Sequence, residues 1–184
     1  MSAVRIRTAR PADAVGIARV HVDSWRATYP GQLPDRYLSN LREGNRAVAR
    51  MHLLAHPRGA GATFVAEEAG AAADGIVGFA DCGPSRGGVP GYPGEFYAIY
   101  LVPEAQNRGI GRALMGMMSR HLLDHRCPAG IVWALESNQA ARWFYERLGG
   151  RRIGARRSPF AGTTVEEVAY GWDDLVPLAR AVAT

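Results

Sequence analysis

The stretch that decides the fold reads YLVPEAQNRGIGR and occupies residues 100–112. An apolar strand that stops at Pro103 leads into a glycine-containing turn, and a helix with an apolar stripe is predicted from Gly109 to Asp124. A helix that begins directly after such a turn presents unpaired backbone N–H groups and the positive end of its dipole. The segment therefore predicts an anion-binding turn, where glycine lets a phosphate approach the main chain closely.

Two other phosphate-binding motifs do not fit this turn. Gly109 and Gly111 lack the G-x-G-x-x-G spacing of a dinucleotide site, and no Gly-Lys-Ser/Thr of a Walker A loop is present. The glycine pair alone is weak evidence, because many strand-to-helix turns contain two glycines for packing. Arg108 and Arg112 would add charge-assisted contacts to a bound phosphate.

The rest of the chain predicts strands alternating with helices in one domain, residues 1–184. Val15, Ala18, Val22 and Trp25 form an apolar stripe at helical spacing, and the Gly- and Pro-rich segment 83–94 is typical of a mobile surface loop. The order implies an α/β fold of the mixed α+β kind, with helices on both faces of a mixed sheet. Strands are predicted over 4–8, 63–67, 76–80, 95–102, 131–135, 151–154 and 164–172, and helices over 11–26, 34–56 (broken or bent near 44–45), 109–124 and 138–148.

Composition narrows the class of protein. The 184 residues carry a formal net charge of +5, and every Lys or Arg position is arginine. These arginines are spread along the chain without a dense basic tract, so we expect no nucleic-acid partner. No apolar run is long enough for a membrane helix, and the N-terminus lacks the pattern of a secretory signal, so we expect a cytoplasmic protein without a membrane partner. Cys82 and Cys127 lack zinc-site spacing; we expect them to be reduced and predict no metal.

Two motifs carry a resemblance to a known family. The sequence Gln106-x-x-Gly109-x-Gly111 after its strand resembles motif A of the GCN5-related N-acetyltransferase (GNAT) superfamily. The stretch 136–149, which contains Asn138 and Tyr145, resembles motif B of the same superfamily. The resemblance implies the GNAT fold, a mostly antiparallel sheet of six or seven strands flanked by about four helices, with two strands splayed apart at the cofactor site. It also implies acetyl-CoA as co-substrate and N-acetyl transfer to an amine.

The resemblance also implies which residues bind acetyl-CoA. The pantetheine arm would pair with main-chain groups of the strand ending at Val102, as a peptide pairs with a sheet edge, and a backbone N–H there would polarise the thioester carbonyl. The side chain of Asn138 would either contact the cofactor arm or only cap its helix. The predicted cofactor-binding set is Ile99, Leu101, Val102, Gln106, Asn107, Arg108, Gly109, Ile110, Gly111, Arg112 and Asn138.

Catalytic roles follow from the same resemblance. Tyr145, which lies on the inward stripe of its helix, would protonate the departing thiolate; a core tyrosine is the other interpretation. Glu95 matches the strand glutamate that serves as base in some family members, although a solvated strand-end charge or a water base stays open. Strand alternation predicts Glu95, Tyr97 and Ile99 on one face. Trp25, Tyr29 and Tyr97 are candidate walls of the acceptor site.

The acceptor itself is not identified by these motifs. A small-molecule or peptide amine is expected, with amino sugars, protein N-termini, polyamines and amino acids all open. A homodimer is possible by analogy with the family. The alternative function is a non-catalytic acyl-CoA-binding regulatory module, which the presence of Tyr145 disfavours.

Overall fold

The computed structural model describes residues 3–56, 59–71 and 74–180. Seven strands form one sheet in the order β1-β2-β3-β4-β5-β7-β6. Only β4 and β5 run parallel, and every other neighbouring pair is antiparallel. The strands are β1 (Val4–Thr8), β2 (Ala62–Glu68), β3 (Ile76–Pro84), β4 (Gly94–Leu101), β5 (Gly130–Leu135), β6 (Arg151–Phe160) and β7 (Thr163–Trp172). The predicted mixed, mostly antiparallel sheet is confirmed.

Within the described residues, six helices pack around this sheet: α1 (Ala14–Thr28), α2 (Asp35–Ser39), α3 (Glu43–Ala55), α4 (Ile110–Asp124), α5 (Gln139–Arg147) and α6 (Val176–Arg180). The imidazole of His21 stacks on Phe79 of β3, which puts α1 on one face, whereas the Cys82 thiol of β3 contacts the Met118 carbonyl of α4 on the other. Arg50 of α3 reaches the first face, and Phe144 of α5 packs on the start of α4.

Several element boundaries differ from the sequence prediction. A short 3-10 turn at Pro11–Asp13 precedes α1, and the break or bend expected near 44–45 is a break between α2 and α3 at residues 40–42. Val15 is exposed, so its place on the apolar stripe was wrong. Strand β6 continues to Phe160 because its arginine-rich half pairs with β7 along its whole length.

Both cysteines are free and buried, as expected for a reduced protein. Within the described residues, no helix is long and apolar enough to cross a membrane. In the same ranges, no group of three or more His, Cys, Asp or Glu side chains is arranged to hold a metal ion. The homodimer and the cytoplasmic location stay predictions.

Candidate active site

The predicted anion-binding turn lies between β4 and α4. Asn107 and Gly109 both adopt the left-handed conformation, with φ of 57° and 80°. The main chain therefore curls so that α4 starts at Ile110 without a side-chain cap. Within the described ranges, no backbone N–H from Asn107 to Arg112 has a hydrogen-bond partner. A row of free donors at a helix start is the arrangement that suits a phosphate group.

The side chains of this turn are partly occupied. The Arg108 guanidinium donates to both Glu68 carboxylate oxygens, at 2.6 and 3.0 Å, and thereby lowers the pKa of Glu68. Arg108 would have to share or exchange this partner to contact a phosphate. Gln106 donates its side-chain N–H to the carbonyl of Leu101 at 3.4 Å, and Arg112 is exposed.

Strands β4 and β5 separate next to this turn. Their parallel pairing covers only residues 94–96 and 130–132, although β4 continues to Leu101 and β5 to Leu135. The N–H of Val102 donates to Val77 of β3 at 3.0 Å. Because hydrogen-bonding directions alternate along an antiparallel strand, the main-chain groups of Ile99 and Leu101 point away from β3 and into the gap. The gap thus exposes an unpaired strand edge, which is the predicted splay.

A tyrosine cluster (Tyr29, Tyr100 and Tyr145) gathers at this gap from three elements. Tyr145 of α5 is 5% exposed and packs edge-on against Trp172. Burial raises the pKa of Tyr145, and the nearby Tyr29 raises it further. Burial also raises the pKa of Tyr100 of β4, with Tyr29 and Tyr145 adding to the effect. The phenols therefore keep their protons at neutral pH, and Tyr145 is available as a proton donor.

Asn138 joins this cluster from the start of α5. Its side-chain oxygen accepts the N–H of Ala141 at 3.1 Å, so the helix-capping interpretation is correct. Burial raises the pKa of Tyr29, while hydrogen bonding to Tyr100 and Asn138 offsets part of that rise. Asn138 therefore caps the start of α5 and also faces the gap.

Glu95 is not a solvated strand-end charge, since only 4% of it is exposed. One carboxylate oxygen accepts the backbone N–H of Arg86 at 2.8 Å, and the other accepts its guanidinium, also at 2.8 Å. The same guanidinium lies 3.9 Å from the ring centroid of Tyr97. Glu95 thus holds the Gly- and Pro-rich segment against β4, and the Arg86 side chain covers the Glu95 carboxylate.

The prediction that Glu95, Tyr97 and Ile99 share one face was wrong for Ile99. A β-bulge in β4 leaves Tyr97 without a partner on β3. Cys82 of β3 lies opposite Phe96, and its neighbour Asp81 lies opposite Ala98, so Tyr97 is the extra residue. After this extra residue, the side chains of β4 point to the opposite face of the sheet from the one that simple alternation predicts. Ile99 therefore faces α4, whereas Glu95 and Tyr97 face the side of α1. A backbone contact from Ile99 does not depend on this direction.

The three residues predicted to line the acceptor site do not lie together, because Tyr97 is separate from Trp25 and Tyr29. The rings of Trp25 and Tyr29 pack edge-on at 5.0 Å beside the gap, while the Tyr97 hydroxyl donates to the Pro84 carbonyl at the start of the Gly- and Pro-rich segment. Sequence reasoning missed four residues packed near Trp25. They are His21, Tyr37, Arg46 and Phe160, all in contact with its ring. No local motif marks them, because they come from separate elements.

Comparison with known proteins identifies the class. The profile of the acetyltransferase (GNAT) domain matches residues 59–149. The uncharacterized N-acetyltransferase YuaI of Bacillus subtilis is 37% identical over 95% of this chain and 96% of its own length. Two solved structures share the fold. PaiA N-acetyltransferase of Thermoplasma acidophilum, in complex with coenzyme A, has TM-score 0.64 and 16% identity over 90% of this chain and 98% of its own. YncA of Salmonella typhimurium, a proposed acetyltransferase solved with its cofactor acetyl-CoA, has TM-score 0.67 and 18% identity over 95% of each chain.

These similarities assign the chain to a family of acyl-transfer enzymes. The chain belongs to the GNAT acetyltransferase family, and it is an acyltransferase. The superfamily inferred from motifs A and B is therefore confirmed.

Proposed function

We propose that the chain transfers an acetyl group from acetyl-CoA to a primary amine, by direct attack within a ternary complex. The observation that carries the proposal is the unpaired edge of β4 at Ile99 and Leu101, which opens between the anion-binding turn and the tyrosine cluster. PaiA and YncA, which share the fold, were solved with coenzyme A and acetyl-CoA.

The donor would be bound mainly by main-chain groups. Free N–H groups from Asn107 to Arg112 suit the pyrophosphate, and the amides of the pantetheine arm can extend the sheet from the edge of β4. A backbone N–H in this gap would then meet the thioester carbonyl and stabilise the oxyanion that forms there. Asn138, at the opposite side of the gap, would contact the arm.

The chemical step needs one base and one acid. A primary amine has a pKa of about 10 and is mostly protonated at neutral pH, so its deprotonation costs roughly 4 kcal/mol. The neutral amine attacks the thioester carbon, its nitrogen then loses a proton to water, and the tetrahedral intermediate collapses with cleavage of the carbon–sulfur bond. Tyr145 would donate its phenolic proton to the departing thiolate, a role that its buried position beside the gap supports.

Glu95 is our candidate for the base, acting directly or through a water. Its carboxylate is held by Arg86 and faces the same side of the sheet as Trp25 and Tyr29, whose rings pack beside the gap. Direct proton abstraction would require Arg86 to move. A water bound to the carboxylate could relay the proton without that movement.

The proposal is tested by replacing Tyr145 with phenylalanine. Thiol release from acetyl-CoA, measured against a panel of amines, should fall about 100-fold or more, the typical contribution of a general acid. Affinity for coenzyme A, measured by calorimetry, should change little because main-chain groups hold the donor.

Tyr170→Phe is the matched control. Tyr170 lies 6.1 Å from Tyr145, ring to ring, but its hydroxyl is already engaged by Glu146 at 2.6 Å. An unchanged rate in the Tyr145 variant would remove this residue from the mechanism. Absence of coenzyme A binding by the unmodified protein would overturn the proposed function.

A further inference from the structure

Helix α3 directs two arginines, one turn apart, at the aromatic residues beside the gap. Arg50 is neutralised by Asp81, whose carboxylate oxygens lie 2.7 and 2.9 Å from it. Arg46 lies 5.5 Å from the ring centroid of Trp25 and donates to the Tyr37 hydroxyl at 3.2 Å. Over the described part of the chain, no carboxylate forms a salt bridge with Arg46. A half-buried guanidinium is thus left without a counter-charge.

A second group next to Arg46 also lacks a partner. The Nε2 atom of His21 is buried and, within the described residues, makes no hydrogen bond. Burial, together with the positive charges of Arg46 and Arg50, lowers the pKa of His21 to about 3. The imidazole is therefore neutral at physiological pH. An unsatisfied buried polar group is unfavourable, so its retention beside an uncompensated cation points to a partner from outside the protein.

One kind of chemical group would satisfy both residues. A carboxylate or a phosphate-type oxyanion accepts charge-assisted hydrogen bonds from a guanidinium, and it can also accept one from a neutral imidazole N–H. A cationic group would be repelled by Arg46. The local charge therefore favours an anion and disfavours the polycationic amines, such as polyamines and amino sugars.

This position is connected to the reaction site through Tyr100. The ring of Tyr100 stacks on His21 at 5.4 Å. Burial raises the pKa of Tyr100, and Tyr29 of the tyrosine cluster is close enough to add to that rise. Trp25, which carries Arg46 over its ring, packs directly on Tyr29. A group bound by Arg46 and His21 would thus lie among aromatic residues that adjoin the gap where acetyl transfer is proposed.

We propose that the acceptor carries an anionic group several bonds from its amine, and that Arg46 and His21 bind that group while the amine enters the gap between β4 and β5. The inference rests on the proposed acetyl transfer and narrows its substrate class to amino acid-like or phosphorylated amines. Arg46 is then a specificity-determining residue that does not take part in the chemical step.

The test compares acceptors in matched pairs, each pair an ω-amino carboxylate and the corresponding alkylamine of equal length. Thiol release should show a higher kcat/KM for the carboxylate member of the pair. Arg46→Gln should raise the KM for that member about 10- to 100-fold, the loss expected for one charge-assisted contact, with little change for the alkylamine. Arg36→Gln, the same change of charge on an exposed residue of α2, should have no effect.

The possible failures can be told apart. If alkylamines are acetylated as efficiently as their carboxylate partners, and Arg46→Gln affects both equally, the anion site is wrong although acetyl transfer stands. If calorimetry shows no binding of coenzyme A, the acetyl transfer and the anion site fail together. Thermal unfolding of Arg46→Gln shows whether the variant is folded; His21→Phe, which keeps a ring in the aromatic stack, provides an independent second variant with the same expected selectivity change.

Discussion

Replacement of Gly109 by alanine should weaken the binding of coenzyme A and leave the fold intact. The residue has φ of +80°, and a Cβ built on it would have no atom within 4 Å. Crowding is therefore not the obstacle, and the effect of the substitution is confined to the backbone. A side chain in the left-handed conformation costs an L-residue about 1–2 kcal/mol.

The size of the loss follows from what the turn can do without its ligand. Because the backbone N–H groups from Asn107 to Arg112 make no hydrogen bonds within the described residues, we expect the free turn of the alanine variant to relax out of the left-handed conformation and escape the strain. Binding of a pyrophosphate requires the original conformation, so the strain is subtracted from the binding free energy. Since about 1.4 kcal/mol corresponds to a tenfold change in the dissociation constant, that constant should rise roughly 5- to 30-fold. Asparagine tolerates this conformation better, so Gly109→Asn should retain more affinity.

Calorimetric titration with coenzyme A measures the effect, and thermal unfolding shows whether each variant is folded. Gly154→Ala is the control, since that glycine of β6 also has open space around its Cβ but no positive φ. Equal affinity of the unmodified protein and the Gly109→Ala variant would show that the turn is not the phosphate-binding element.

Two further predictions concern side chains. Glu95→Gln, which keeps the shape of the side chain, should lower kcat/KM about 100-fold near neutral pH and much less at alkaline pH, where the amine is already deprotonated; a uniform loss at every pH would assign Glu95 to holding Arg86 only. Asp81→Ala should lower the free energy of unfolding in urea by about 2 kcal/mol, because it leaves Arg50 unpaired where the two side chains are only 13% and 14% exposed. Arg151→Ala is the control, because Arg151 and its partner Asp173 are both more than 60% exposed. This variant should change the free energy of unfolding little. An equal loss in both variants would contradict this reasoning.

Local patterns predicted the order and type of the main elements because each has a strong periodicity and a turn residue at its end. The prediction failed where pairing with a distant segment decides the structure. Strand β6 is longer than expected because β7 supplies partners for its arginine-rich half up to Phe160. The bulge at Tyr97 depends on the register between β3 and β4, and no pattern within β4 indicates it.

The candidate site also has one half that a local pattern predicts and one half that depends on distant segments of the chain. The half that would hold acetyl-CoA consists of a turn and a strand edge that are continuous in sequence, so a short motif predicts it. The half beside Trp25 is assembled from α1, α2, α3 and the β6 strand, whose contributing residues are far apart in the chain. Such contacts exist only once the chain has folded, so no local pattern identifies His21 or Arg46 as site residues.

This division has a chemical reason. Every member of an acetyl-CoA-dependent family binds the same pyrophosphate and the same pantetheine amides, and main-chain groups can do so with few requirements on side chains. The acceptor differs between enzymes, and it has to be recognised by side chains. The charges beside Trp25 would therefore supply the specificity that motifs A and B do not encode. Among the described residues, Arg46 forms no salt bridge and the Nε2 atom of His21 forms no hydrogen bond, and under our proposal these two groups next to the tyrosine cluster select an acceptor that is itself partly anionic.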